Sequence, residues 1–129
     1  MSPQAGLAGI VEELVRQNLE RDPSRRRLLR PTIVVLEAPD AGVVATVRVT
    51  KAGVTARDGD DPRAAVRVRA DAARLLDLAI VPLVLGLPDP RSPEGRAVVA
   101  DLLAGRYRID GLARHPLQAL RFLRLLSAR

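Results

Sequence analysis

From Gly6 to Arg21 the apolar residues Leu7, Ile10, Val11, Leu14, Val15 and Leu19 recur at three- and four-residue spacing. That period is helical: it gathers the six on one face and leaves Glu12, Glu13, Arg16, Gln17 and Glu20 on the other. Asp22-Pro23-Ser24 ends the helix, because the residue before a proline is pushed out of helical geometry. The run Arg25-Arg26-Arg27-Leu28-Leu29-Arg30 reads as a solvated turn or a small anion site. Nothing glycine-rich accompanies it to cradle a phosphate, which favours the turn.

After Pro31 the period changes to two. Thr32 to Leu36 is a β-branched run, Pro39-Asp40-Ala41-Gly42 supplies turn chemistry, and Val43 to Thr50 alternates, with Val43, Ala45, Val47 and Val49 on one face. Lys51-Ala52-Gly53 predicts a hairpin returning through Val54 to Arg57. Asp58-Gly59-Asp60-Asp61-Pro62 predicts a second turn, of hairpin type, before a strand over Ala65 to Arg69. In that strand Val66 and Val68 point inward and Arg67 and Arg69 outward. The pattern repeats near the end, with Tyr107 and Ile109 inward and Arg106, Arg108 and Asp110 outward.

Helices are predicted over Asp71 to Leu78, over Pro93 to Leu103 after a Ser92 cap, and over Pro116 to Ser127. Gly105 comes just after the second of these, where a C-terminal glycine belongs. The expected architecture is a single α+β domain spanning 1–129, with an N-terminal helix and basic connection in 1–30 and the sheet and covering helices in 31–129. The sheet is mostly antiparallel, of four or five strands. One apolar face is covered by helices, and an arginine-rich face needs no cover.

The chain has no cysteine, so disulfide scaffolds and thiolate metal sites are excluded. His115 is its one histidine, which rules out a multi-histidine zinc site within the chain. It precedes Pro116, where a capping or solvent-facing role is expected. Glu12 and Glu13 are adjacent on a helix and do not converge as an acid/base pair. Asp58-Gly59-Asp60-Asp61 lacks the glutamate that closes a calcium loop. No serine sits in a nucleophile elbow. The sequence therefore predicts a non-enzymatic protein without metal or cofactor, with a small enzyme using Asp110 or His115 as the weakest alternative.

Of 21 basic residues only Lys51 is not arginine, a vocabulary that reflects a GC-rich genome more than a demand for nucleic acid. Aromatics are nearly absent, which also disfavours single-strand nucleic-acid platforms. No signal-peptide pattern is present, and the longest apolar run, Leu78 to Leu87, carries a proline and is too short to span a bilayer. A cytoplasmic protein is expected. From Leu102 to Arg129 there are six arginines and only Asp110 as an acid. Such an end suits a solvated helix face or an anionic membrane surface.

The last third, Ala104-Gly105-Arg106-Tyr107-Arg108-Ile109-Asp110-Gly111 and then Pro116 to Leu126, reads as a glycine-ended helix, a short strand, a glycine turn and a leucine-rich closing helix. That order resembles the end of the sterol carrier protein 2 (SCP2) family, which closes with a Gly-Lys-Leu-Lys-Ile-x-Gly strand and an amphipathic helix. Arg106, Tyr107, Arg108, Ile109 and Gly111 stand where basic, apolar, basic, apolar and glycine are expected. Val66 to Leu78 resembles the family's middle section, so the likeness covers roughly Val43 to Leu126. The chain departs from it at Pro82 to Glu94, a longer proline-rich connection, and in lacking cavity phenylalanines and methionines.

The resemblance implies non-covalent carriage of an apolar ligand, a fatty acyl chain, a sterol-like lipid or an isoprenoid, in a cavity between helices and sheet. The expected lining is Leu76, Ile80, Leu83, Leu85, Val98, Leu102, Tyr107, Ile109, Leu120 and Leu123, with Arg121 and Arg124 steering the protein to anionic membranes. Without the resemblance, the same residues read first as packed core. An empty pocket of ~300 Å³ costs about 7 kcal/mol, so an unliganded form collapses, hydrates or keeps a lipid. The alternative is an accessory or scaffold module in lipid or quinone biosynthesis, acting as a homodimer or on a partner enzyme through the arginine-bearing face (Arg48, Arg67, Arg69, Arg106, Arg108) or the final helix.

Overall fold

The helical period of the first segment becomes α1 (Leu7–Arg21). Asp22 then leaves helical geometry, and its carboxylate accepts the Ser24 N–H at 3.2 Å as a 3-10 turn begins (Pro23–Leu28). The arginine run lies on this turn. Arg25 reaches across to donate to the Arg124 carbonyl at 3.0 Å, while Leu28 and Leu29 enter the core. The turn thus joins the two ends of the chain. The computed structural model describes residues 6–77, 83–84, 87–88 and 91–126.

The alternating segments form β1 (Thr32–Ala38), β2 (Val43–Thr50), β3 (Gly53–Asp58) and β4 (Val66–Arg69). After α2 (Ala72–Asp77) come the short pair β5 (Leu83–Val84) and β6 (Leu87–Pro88), then α3 (Pro93–Leu103), β7 (Arg108–Asp110) and α4 (Pro116–Leu126). The main sheet has five strands in the order β3-β2-β1-β4-β7. Three neighbour pairs are antiparallel, and β1–β4 is parallel. The expected α+β class and mostly antiparallel sheet are therefore present, with one parallel pairing inside it.

That pairing corrects the reading of Asp58 to Pro62 as a hairpin. β4 lies beyond β1, so the chain after β3 crosses two strands before it pairs. The connection is held down locally: the Gly59 N–H donates to the Val44 carbonyl at 2.9 Å, and the Thr46 hydroxyl donates to the Gly59 carbonyl at 2.7 Å. Its passage covers the middle of the arginine-bearing face, while Arg48, Arg69, Arg108 and Asp110 on that face stay exposed as expected. Val35, Thr46 and Asp61 are 0%, 3% and 2% exposed. Val35 and Thr46 are cross-strand partners with the parity of Arg67 and Asp110, on the arginine-bearing face.

On the opposite face Val34, Leu36, Ala45, Val47, Val66 and Val68 pack under Val11, Val15, Leu75, Val98, Phe122 and Leu125, so every α-helix contributes to one core. Asn18 is a buried polar residue in it. Its side-chain amide donates to the Leu125 and Leu126 carbonyls at 2.9 and 3.1 Å, satisfying two acceptors that the end of α4 leaves unpaired.

The two ends of α3 fix its length and the start of the last strand. The Ser92 hydroxyl accepts the Gly95 N–H at 2.9 Å and starts α3. At its other end Gly105 takes φ 78°, the Gly105 N–H donates to Leu102 O at 3.2 Å, and the Arg106 N–H donates to Asp101 O at 2.8 Å. This is a Schellman closure. It explains why the last strand begins at Arg108 rather than at Arg106: the Arg106 amide is already committed to the helix end. After the strand, Gly111 sits at φ 90°, where an added Cβ would fall 2.1 Å from the Ala65 carbonyl oxygen. Only glycine lets the chain turn there.

Candidate functional site

Between β4, β7, α3 and α4 lies a cavity of about 110 Å³. Strand alternation supplies Val66, Val68 and Ile109. Helical spacing supplies Val98 and Leu102 from α3, and Ala119, Leu120, Phe122 and Leu123 from α4. Leu112 closes one side. Tyr107, released from the Schellman turn, completes the wall, and its hydroxyl donates to the Arg74 carbonyl at 2.6 Å. Its polar atom thus has a partner inside the protein, and the wall it presents is its ring.

Six of the expected lining residues, Val98, Leu102, Tyr107, Ile109, Leu120 and Leu123, surround this one cavity. Of the others, Ile80 and Leu85 lie outside the described residues. Leu76 belongs to α2 and Leu83 to β5 by backbone, but their side chains also lie outside what is described. Val66, Val68, Leu112, Ala119 and Phe122 line the cavity although the sequence did not single them out. The signal for the two valines was present, since strict alternation placed both on the inward face. Ala119 was legible through its i+4 spacing to Leu123, and Phe122 through its i−3 spacing to Ala119, on the same helix.

The outer rim is apolar as well. Leu102 and Leu112 are 37% and 42% exposed, and nearby on the same elements Val99, Leu103 and Leu117 are exposed too. Arg121 and Arg124 are half-buried on α4; the Arg121 Nε donates to the Leu117 carbonyl at 3.2 Å. Two larger openings differ in kind. A groove of about 440 Å³ between α1 and the β2–β3 hairpin carries Glu12, Arg16, Glu20 and Arg26. A cleft of about 360 Å³ carries Asp40, Arg69, Asp71, Arg106 and Arg108. Their volume is greater, but their walls mix charged side chains with apolar ones, the first setting its charges beside Val15, Leu19 and Val54.

Ionic contacts fasten the cavity's surroundings. The Arg74 Nε donates to Asp101 Oδ2 at 3.1 Å and also pairs with Asp71, joining α2 to α3; Asp101 Oδ1 accepts from Arg106 at 3.2 Å. The Asp101 hydrogen bond raises the Arg74 pKa further above its already high ordinary value. On the far face of the sheet, Asp61 accepts from the Arg63 guanidinium and the Arg63 backbone N–H, both at 2.9 Å, and lies 3.6 Å from Arg57. Those contacts, the Arg63 side chain foremost, lower its pKa from 3.8 to about 2. A carboxylate held so firmly ionised is a poor general base at neutral pH. Asp61 belongs instead to a local network with Arg67, which bonds Asp60 Oδ1 at 2.7 Å and Asp61 O at 2.9 Å.

Among the described residues no three His, Cys, Asp or Glu side chains gather as a metal site, and no helix is long and apolar enough to cross a membrane. No family sequence model and no curated protein sequence matches the chain. Solved structures do. A structure titled "UbiJ-SCP2 Ubiquinone synthesis protein" superposes with a TM-score of 0.66 at 17% identity, covering 93% of this chain and 92% of its own. The stereoselective inverting sec-alkylsulfatase Pisa1 from Pseudomonas sp. superposes with a TM-score of 0.56 at 15% identity; the match covers 84% of this chain and 14% of the sulfatase. A double mutant of that sulfatase gives 0.54 at 14% identity, over 81% of this chain and 14% of its own. The chain, with its five-stranded sheet, glycine-ended α3, short β7 and closing α4, accordingly has an SCP2-like fold.

Proposed function

We propose that the protein is a non-enzymatic binder of apolar chains, and that the cavity between β4, β7, α3 and α4 receives them. The observation that carries this is the wall itself: it is built from aliphatic and aromatic side chains, and the Tyr107 hydroxyl is bonded elsewhere. Affinity would come from burial of methylenes, roughly 0.8 kcal/mol each, with no polar contact to fix orientation.

Size narrows the ligand. At about 110 Å³ the cavity is smaller than the ~150 Å³ void that holds benzene in an engineered core. Left empty it costs about 3 kcal/mol, which a folded domain of this size tolerates. A few methylenes enter the closed form. A longer tail enters as Leu102, Leu120 and Leu123 move apart, and a linear acyl or isoprenoid end is favoured over a rigid sterol nucleus. That the similar structure is of a ubiquinone synthesis protein supports the isoprenoid class, since ubiquinone carries such a tail. Arg121 and Arg124 would face an anionic membrane during loading, in a cytoplasmic protein.

A second reading, an accessory module in lipid or quinone biosynthesis, is favoured by the exposure of Leu103 and Leu117, 86% and 65%. Native mass spectrometry of freshly purified protein, and then organic extraction, separates the two. A stoichiometric apolar adduct lost on unfolding supports a carrier. The Ala119→Phe variant, which places a ring in the cavity, should weaken a fluorescent fatty-acid probe by about tenfold or more. A clean unliganded mass, with no probe binding in wild type, would leave the accessory role as the better account.

A further inference from the structure

The two edges of the main sheet are finished differently. On the β3 edge the Ala56 N–H donates to the Glu12 carboxylate at 3.2 Å, so a side chain from α1 occupies a donor that a foreign strand would need. On the other edge, β7 pairs only with β4 among the described residues. Edges of this kind accept another strand.

The registers say what that strand should carry. Across the arginine-bearing face, Glu37 stands beside Arg69 and Arg69 beside Arg108. The adjacent row runs Val35, Arg67, Asp110. Arg69 and Arg108 are therefore like-charged cross-strand neighbours, an arrangement that is unfavourable by itself. Glu37 lies 3.9 Å from Arg69, whereas the ion pair that Arg108 makes among the described residues is with Asp110 of its own strand, at 3.6 Å. An antiparallel strand centred on Ile109 that offered an acid opposite Arg108 and a base opposite Asp110 would complete both rows.

β7 itself is that strand. We propose that the protein self-associates about a two-fold axis through Ile109, β7 pairing antiparallel with β7 of a second copy and extending the sheet from five strands to ten. In this register Arg108 of each copy faces Asp110 of the other, and the rows become Glu37, Arg69, Arg108, Asp110, Arg67 and Val35, crossing from one copy into the next. Ile109 meets its own counterpart on the opposite face. The interface is isologous, as a closed two-fold requires. A three-residue strand covers far less than the ~1,200 Å² of a stable complex, so the dimer belongs in the micromolar-to-millimolar range. The inference is independent of the bound ligand.

Sedimentation equilibrium of the full chain from micromolar to millimolar concentration tests it. Wild type should show a monomer–dimer equilibrium that weakens with salt. Arg108→Asp presents acid to acid, and Asp110→Arg presents base to base, each twice by symmetry; either should raise the dissociation constant about a hundredfold. Mixed one to one, the two variants should associate with each other, because every facing pair is then opposite in charge. The side chains are 70% and 60% exposed, so both variants should fold, which circular dichroism verifies. If one does not, the double swap Arg108→Asp/Asp110→Arg should still dimerise. A wild type that stays monomeric at millimolar concentration, a dimer indifferent to both variants, or a mixture that fails to associate would each overturn the proposal.

Discussion

The half of the core centred on β1 and β2 is sealed, and the end built by α3, β7 and α4 is not. Val15, Val34, Val47 and Ala45 have no exposed surface at all, and a buried amide, Asn18, closes the last carbonyls above them. At the other end the same residue types leave a void of about 110 Å³ and a rim of exposed leucines. Composition does not separate the regions. What differs is position in the sheet: β1 and β2 lie in mid-sheet with a paired strand on each side, whereas among the described residues β7 is a three-residue edge strand paired on one side. Close packing needs neighbours on all sides, and an edge cannot supply them.

The contrast is sharpest in core truncations. Leu36→Ala, in the sealed half and 2% exposed, should cost about 4 kcal/mol, read as a lower denaturant midpoint with unchanged slope. Leu120→Ala, at the cavity, should cost only about 1 kcal/mol, because the site is already part void and partly open. Equal losses would mean that the cavity wall is as tightly packed as the rest. The narrowest effect, confined to acid pH, concerns the far face. Asp61 has a folded pKa depressed to about 2 from 3.8. Its contribution is therefore complete above the unfolded value and is lost as the pH falls through the folded one. Thermal melts of wild type should fall between pH ~4 and ~2 more steeply than those of Asp61→Asn. Parallel curves would assign the acid response to other carboxylates.

Local chemistry was legible wherever the determinants lie within a few residues. Ser92, Pro93 and Gly105 bound α3 at Pro93 and Leu103 as their cap, first-turn and αL preferences imply. Alternation placed Tyr107 and Ile109 inward. The segment Asp58 to Pro62, which is no hairpin, has sound turn chemistry, but a turn does not say which strand the chain meets next. The burial of Val35 and Asp61 resulted from that same crossing, and Asn18 was hidden because its partners are more than a hundred residues away. Val66 and Phe122 were readable as apolar and inward, yet nothing in their spacing distinguishes a packed wall from a cavity wall.

By itself the sequence determined the helices, the strand faces, the glycine turns and the absence of thiol chemistry, because periodicity, φ preferences and residue types act over one or two turns of chain. Only the tertiary structure decided that β4 joins β1 in parallel, that the crossing over residues 58–64 covers the middle of the second sheet face, and that the core stops short between α3, α4 and β7. Those outcomes depend on how separate elements fill shared volume, and volume shared between distant segments leaves no periodic mark in any one of them.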